Sequence, residues 1–206
     1  IWINRPAVDV DRIRSRSRRS IQRPLRIVAA GRLVWVKGFD YLLAALARLH
    51  ERGVEFQATI FGEGELRSSL RFSIEDLGLR DYVTLAGAVS AEAVLDALHS
   101  ADVFVLSSLE EGISNAVLEA MACGVPIVTT DAGGMSEAVT NGVEGFVVPI
   151  RDINALADRI EQLAGDHELR HEMGAAARTR AESDFSLARQ VATFEQMYRT
   201  LTGERS

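Results

Sequence analysis

The chain has 206 residues, 47% of them hydrophobic and 25% charged, with a formal net charge of −6. This is the make-up of a globular protein with room for a sizeable core, in one large domain or two small ones. A single cysteine, Cys123, excludes an intramolecular disulfide framework and fits a reducing compartment. No run approaches the ~18 apolar residues of a membrane span, and no signal peptide is visible.

The charge is unevenly spread. Residues 1–26 hold eight arginines against Asp9 and Asp11, while the rest of the chain is acidic. Residues 1–24, rich in Arg and Ser and carrying Pro6 and Pro24, read as a solvated linker or arm of a longer protein, with order beginning at Leu25. Such an arm could touch an anionic membrane surface. It lacks interleaved aromatics and the body is acidic, so nucleic acid is not an expected partner.

From Leu25 onward apolar strands alternate with helices. Leu25–Ala30 reads as a strand closed by Gly31, and Arg32 to Gly38 as a loop. Phe39, Leu42, Leu43, Leu46 and Leu49 have helical spacing. Phe56–Phe61 is a strand closed by Gly62-Glu-Gly64, and Leu66–Leu77 a helix. Val83–Ala86 is a short strand, followed by a helix capped by Ser90. The strand Ala101–Leu106 leads through a loop into a helix starting at Ser114 or Asn115. The strand 125–130, the turn Asp131-Ala-Gly-Gly134, a short helix and the strand Gly145–Val148 follow. Residues 152–164, 167–183 and 186–201 read as helices. The alternation predicts an α/β fold, a doubly wound parallel sheet with C-terminal helices. Near-continuous apolar strands agree, because both faces of such a sheet are covered.

In such sheets ligands bind beyond the carboxyl ends of the strands. Gly31, Arg32, Gly62, Gly87, the stretch Ser107–Ser114 and Asp131 all fall at those ends. The central stretch runs from Glu111 through Gly112, Ile113, Ser114 and Asn115 to Glu119. Eight residues is just over two helical turns, about 12 Å. The helix tip between the two acids offers free amides and a positive dipole end to an anion. A carboxylate on either side can accept from sugar hydroxyls. Arg32 and Lys37 offer a planar fork and a mobile point charge to phosphate oxygens. The spacing alone equally allows two solvated glutamates and two surface cations. Gly62-Glu-Gly64 lacks the third glycine of a dinucleotide fingerprint, and close backbone approach to a nucleotide is enough to explain it. Asp131–Gly134 reads as structural. The four histidines offer only a weak i, i+4 pair, His167/His171, and the one Asp-x-Asp, Asp9-Val-Asp11, sits in the arm, so no divalent metal is expected.

Taken together, Gly31-Arg-Leu33 with Lys37-Gly38, Phe61-Gly-Glu-Gly64, Leu85-Ala-Gly87 with Val89, Glu111-x7-Glu119, Glu119-Ala-Met-Ala-Cys-Gly-Val-Pro126 and Asp184-Phe-Ser186 resemble the C-terminal, donor-binding domain of retaining glycosyltransferases of family 4. The resemblance covers about residues 25–201. It implies the Rossmann-like half of a GT-B fold that takes a nucleotide-diphosphate sugar as substrate, needs neither cofactor nor metal, and works in the cytoplasm beside an N-terminal acceptor domain. By it, residues 1–24 are an arm from that missing domain and 25–206 the nucleotide-sugar-binding domain. Gly31, Arg32 and Lys37 would hold the diphosphate. Glu111 would grip the donor sugar, and Gly112, Ile113, Ser114 and Asn115 would offer amides. Glu119 would bind the ribose, Val89 would face the base, and Gly62 would sit near the nucleotide. Arg32, Lys37 and Glu111 would carry catalysis. Ile113-Ser114-Asn115 departs from the Phe-Gly of many members, which bears on the choice of sugar. A non-catalytic nucleotide-sugar-binding module and a GT-B-like epimerase or phosphorylase are the alternatives. Lys37 is the only lysine, which argues against a phosphorylase holding pyridoxal phosphate on another.

Overall fold

The computed structural model describes residues 5–14 and 24–202. Residues 1–4, 15–23 and 203–206 lie outside it, including the arm's Arg16, Arg18, Arg19 and Arg23. Six strands form one parallel sheet: β1 Leu25–Ala30, β2 Phe56–Phe61, β3 Val83–Gly87, β4 Val103–Leu106, β5 Ile127–Thr130 and β6 Gly145–Val148. Their order is β3-β2-β1-β4-β5-β6. The chain thus winds outward from β1 to β3, then crosses back to lay β4 beside β1. That reversal opens a crevice at the carboxyl ends of β1 and β4.

Helices cover both faces, as the apolar strands require. Strands β4 and β5 are buried throughout. One face packs on α1 Phe39–Glu51, α2 Arg67–Asp76 and α6 Ile153–Gly165, which carry the buried Leu42, Leu43, Leu46, Leu70, Leu156 and Ile160. The other packs on α3 Ala91–Ser100, α4 Asn115–Ala122 and α7 His167–Asp184, with Leu98, Val117, Met121, Ala177 and Ala181. Cys123 is buried in this second layer. A short α5 Met135–Ala138 follows β5, and α8 Leu187–Thr202 ends the described chain. Capping follows local chemistry. Ser90 Oγ accepts from the Ala93 amide, and Asp152 and Asp166 cap α6 and α7 in the same way. Among the described residues no helix is long and apolar enough to cross a membrane.

The arm departs from expectation. Residues 5–14, read from sequence as part of a solvated linker, pack onto the body. Val8, Val10 and Ile13 are buried in the second core layer. The Val8 amide donates to the Phe185 carbonyl at 2.8 Å, and the Leu187 amide to the Val8 carbonyl at 3.3 Å. Arg178 of α7 then clips the segment in place. Its guanidinium donates to the carbonyls of Ile13 (2.7 Å), Val10 (2.9 Å) and Ala122 (2.5 Å). The periodicity that marked the later elements is absent here, because three apolar residues scattered among arginines find their cover only on a distant surface.

Charge-assisted hydrogen bonds are each worth roughly 1.5–3 kcal/mol. Arg178→Ala should therefore lower unfolding free energy by at least about 2 kcal/mol in urea titration. Amide hydrogen exchange should accelerate over residues 8–13 before it does in β1 or β4.

Candidate functional site

The crevice between β1 and β4 is lined by two loops. The β1–α1 loop contains one 3-10 turn, Trp35–Lys37, and ends at Gly38, the N-cap of α1. The β4–α4 loop runs from Ser107 to Ser114. They are stitched together. The Leu109 amide donates to the Val36 carbonyl at 2.7 Å, and Ser107 Oγ donates to the Lys37 carbonyl at 3.1 Å. Gly38, at φ +61°, makes this approach sterically possible, since a Cβ there would lie 2.2 Å from the Ser107 carbonyl oxygen.

This stitching brings the predicted Lys37 and Glu111 together. The Lys37 ammonium donates directly to Glu111 Oε2, and Ser108 Oγ donates to the same oxygen at 3.1 Å. Both charged side chains are only 16% exposed. The Lys37 stem lies back over Gly31, whose position would put a Cβ 3.6 Å from Cδ and Cε. From behind, the β5–α5 loop presses on Glu111. The Gly134 amide donates to its carbonyl at 3.2 Å, and a Cβ on Gly133 (φ +58°) would sit 1.9 Å from that oxygen. The turn at Asp131–Gly134 is thus structural, as expected, and its structure is what backs the acid. Thr130 Oγ1 adds a bond to the Ser108 carbonyl at 2.5 Å.

Arg32 lies on the same loop, exposed, and its side chain has no hydrogen-bond or ion-pair partner among the described residues. Gly112 stands in open space. Ile113 is partly buried and packs against the second core layer. Ser114 takes the N-cap position of α4, one of the two starts the sequence allows, but its hydroxyl makes no capping bond. The first-turn amides of α4 are therefore left without a side-chain partner. Asn115 opens the helix and is exposed. Val89 is exposed just ahead of α3.

The Gly62 explanation needs correction. A Cβ on Gly62 would fall 1.9 Å from the Gly31 carbonyl oxygen, and one on Gly64 2.4 Å from that of Leu33. The close approach these glycines serve is between two protein loops, β2–α2 against β1–α1. A nucleotide is not needed to explain them.

Glu119 sits on the second turn of α4, half-buried, and no hydrogen bond or ion pair within the described residues engages its carboxylate. Burial pushes its pKa above the ordinary carboxylate value. With Asn115 it lines a groove of about 250 Å³. Sequence reasoning missed Ser107 and Ser108, which orient the Lys37–Glu111 pair. Two hydroxyls directly after a strand end were the available signal. It also missed the groove, one wall of which comes from residues 7–13. Histidines stay outside the site: His99 Nε2 meets the Arg14 carbonyl at 2.8 Å, and His50 lies against Tyr82.

A parallel sheet in this order, with polar groups gathered at its reversal, defines a Rossmann-like nucleotide-binding type of domain. The chain belongs to the glycosyl transferases group 1 family, whose profile matches residues 11–180. It is similar to the putative colanic acid biosynthesis glycosyltransferase WcaL of Salmonella typhimurium, 34% identical over 95% of this chain and 51% of that protein. The sucrose-phosphate synthase of Thermosynechococcus elongatus superposes with a TM-score of 0.84 at 24% identity, covering 98% of this chain and 53% of that one. HepE of Anabaena, solved in complex with UDP and glucose, has a TM-score of 0.76 at 26% identity, over 86% of this chain and 48% of its own. The chain spans about half the length of the curated relatives it matches.

Glu119 yields a pH prediction. Its folded-state pKa lies above the unfolded one, so the folded state holds the proton longer. Stability then falls as pH rises through the window between the two values, and the cost persists above it. Glu119→Gln should accordingly be more stable than wild type at pH 7. The difference should vanish below about pH 4, where both states of the wild type are protonated. Thermal melts from pH 3 to 8 read this directly.

Proposed function

We propose that this chain is the donor-binding half of a retaining glycosyltransferase, which moves a sugar from a nucleotide-diphosphate sugar to an acceptor. The observation that carries this reading is the order of groups along α4. Glu119 lies in the groove, Asn115 at its edge, the bare helix tip at Ser114, and the Lys37–Glu111 pair beyond. A nucleoside, a diphosphate and a sugar occur in that same order in the donor. The groove is smaller than the ~300–1,000 Å³ of pockets that take a whole ligand. It suits a nucleoside, with the diphosphate and sugar running out along the helix tip. The complex of HepE with UDP and glucose supports the class of ligand.

In this reading Glu119 accepts from the ribose hydroxyls, and Val89 presents its backbone to the base. Gly31 lets the diphosphate approach the loop, with Gly62 behind it. The amides of Gly112 to Asn115, with Arg32 and Lys37, meet the diphosphate, and Glu111 accepts from the sugar. Breaking the anomeric C–O bond leaves its electron pair on the departing nucleoside diphosphate. Preorganised cations and amides stabilise that charge more in the transition state than in the ground state. Metal-independent transfer is proposed on the ground that Arg32, Lys37 and the α4 amides can supply the positive charge the leaving group needs. Retention follows if the acceptor hydroxyl attacks from the face the leaving group vacates, giving up its proton to the departing phosphate.

The acceptor site is assigned to an N-terminal domain of the full-length protein. Support comes from α8, where Leu187, Val191, Phe194, Tyr198 and Leu201 are all at least 43% exposed. Their spacing of four, three, four and three residues makes one continuous apolar seam. A lone buried thiol suits a cytoplasmic setting.

Binding is tested by calorimetry and thermal shift with UDP, GDP and ADP sugars. A ligand at 100 times its Kd should add about 2.7 kcal/mol of stability, and no response to any nucleotide would sink the donor reading. In the full-length protein, Arg32→Ala and Lys37→Ala should each slow transfer by about 10²–10³-fold, with the fold kept in both but stability lowered in Lys37→Ala, where Glu111 loses its partner. Intact binding without any transfer would favour a non-catalytic binding module instead.

A further inference from the structure

The donor reading leaves the folded part of the arm without a task. The groove beside Glu119 supplies one. Its floor is the Asn115 and Glu119 face of α4, one wall is the first turn of α3, and the facing wall is the arm. The arm is not loosely laid there. Its Val8, Val10 and Ile13 are buried, its backbone joins Phe185 and Leu187, and Arg178 holds two of its carbonyls. The turn is further closed by the Asp9 carboxylate, which accepts from the Arg12 amide at 3.1 Å, and by the Ile13 amide donating to the Asp9 carbonyl.

We propose that arm residues Asp9, Arg12 and Ile13, together with Glu92 and Leu95 of α3, form the nucleobase wall of the donor site and set which base is accepted. This rests on the donor reading above. With the diphosphate at the tip of α4 and the ribose at Glu119, the next group into the groove is the base. What it meets there has two characters. Leu95, half-buried, presents apolar surface suited to a base face, and the buried Ile13 backs the wall opposite. Arg12 and Glu92 pair across the groove at 3.3 Å, with side chains 72% and 69% exposed. An ion pair that exposed is worth little in water, so it opens readily to a ligand. Opened, it offers a guanidinium donor and a carboxylate acceptor to the polar edge of a base. The second carboxylate oxygen of Asp9 has no partner among the described residues and adds an acceptor. Bases differ in the donors and acceptors on that edge, and an unmatched polar group is costly once desolvated.

The wall it forms makes the arm part of the site. The test is calorimetry of UDP, GDP, ADP and inorganic pyrophosphate against wild type, Arg12→Ala, Glu92→Ala and Asp9→Asn. The last keeps the side-chain oxygen that closes the turn, and melting curves confirm folding of each. The expected result is a change of about tenfold or more in the ratio of Kd values between bases in at least one variant. Pyrophosphate affinity should hold at its wild-type value. Nuclear Overhauser contacts should join base protons to the methyls of Leu95. Unchanged base ratios in all three variants, with no such contacts, would overturn the inference and leave the donor reading standing. Equal weakening of every ligand, pyrophosphate included, would also overturn it, since the arm would then act only by holding the fold. Absence of nucleotide binding to wild type would remove the donor reading, and the inference with it.

Discussion

Lys37 and Glu111 come from loops 74 residues apart and meet where the sheet reverses direction. Much of the surrounding structure serves that meeting. Ser107 and Ser108 orient the two partners, and Gly38 and Gly133 let backbone approach where no side chain fits. The pair is mostly buried, so each charge needs the other; removing one would leave its partner poorly solvated. The consequence is a fixed ammonium at the crevice before any ligand arrives. In the proposed reaction that is the useful state, because little reorganisation is then needed when negative charge develops on the leaving group. Arg32 complements it as an exposed cation on the same loop, its side chain unpaired among the described residues.

Glu119 shows the opposite economy. It has no partner, and burial holds its carboxylate in an environment that disfavours the charge. A residue placed for stability alone would be neutral or paired. An unsatisfied acceptor facing a groove is instead what a hydroxyl-bearing ligand would satisfy. The first turn of α4 follows the same pattern, with the hydroxyl of its N-cap serine making no capping bond. Along one short helix, then, first-turn amides and a carboxylate are both left without a side-chain partner among the described residues, as the proposed donor requires, while its far side is buried in the core.

The arm changes the view of where this domain begins. Its described part is fastened by backbone bonds near Phe185 and by Arg178, so it joins the start of the chain to α7 and α8. It also walls the groove beside Glu119. The apolar seam of α8 runs on from the same junction with no cover among the described residues. Arm and seam lie next to one another in the fold, the arm tucking its apolar residues into the core and the seam leaving its own exposed.

The alternation of strands and helices, the two-faced burial and the edge that carries the polar groups were legible in the sequence. Each depends on local periodicity, and apolar strands of 4–6 residues between amphipathic helices have few other ways to hide. The motif positions Lys37, Glu111 and Glu119 were legible too, because glycine-bounded loops at strand ends mark that edge. Their relations to one another were settled only by tertiary structure. Pattern says which face of a segment is apolar, but not which distant surface covers it, so Val8, Val10 and Ile13 read as solvated. Nor does spacing tell whether a lysine points to solvent or to an acid 74 residues away, or whether a helix glutamate is bathed in water or desolvated. Those outcomes depend on how separate loops are packed together, which here the glycines and serines around the crevice decide.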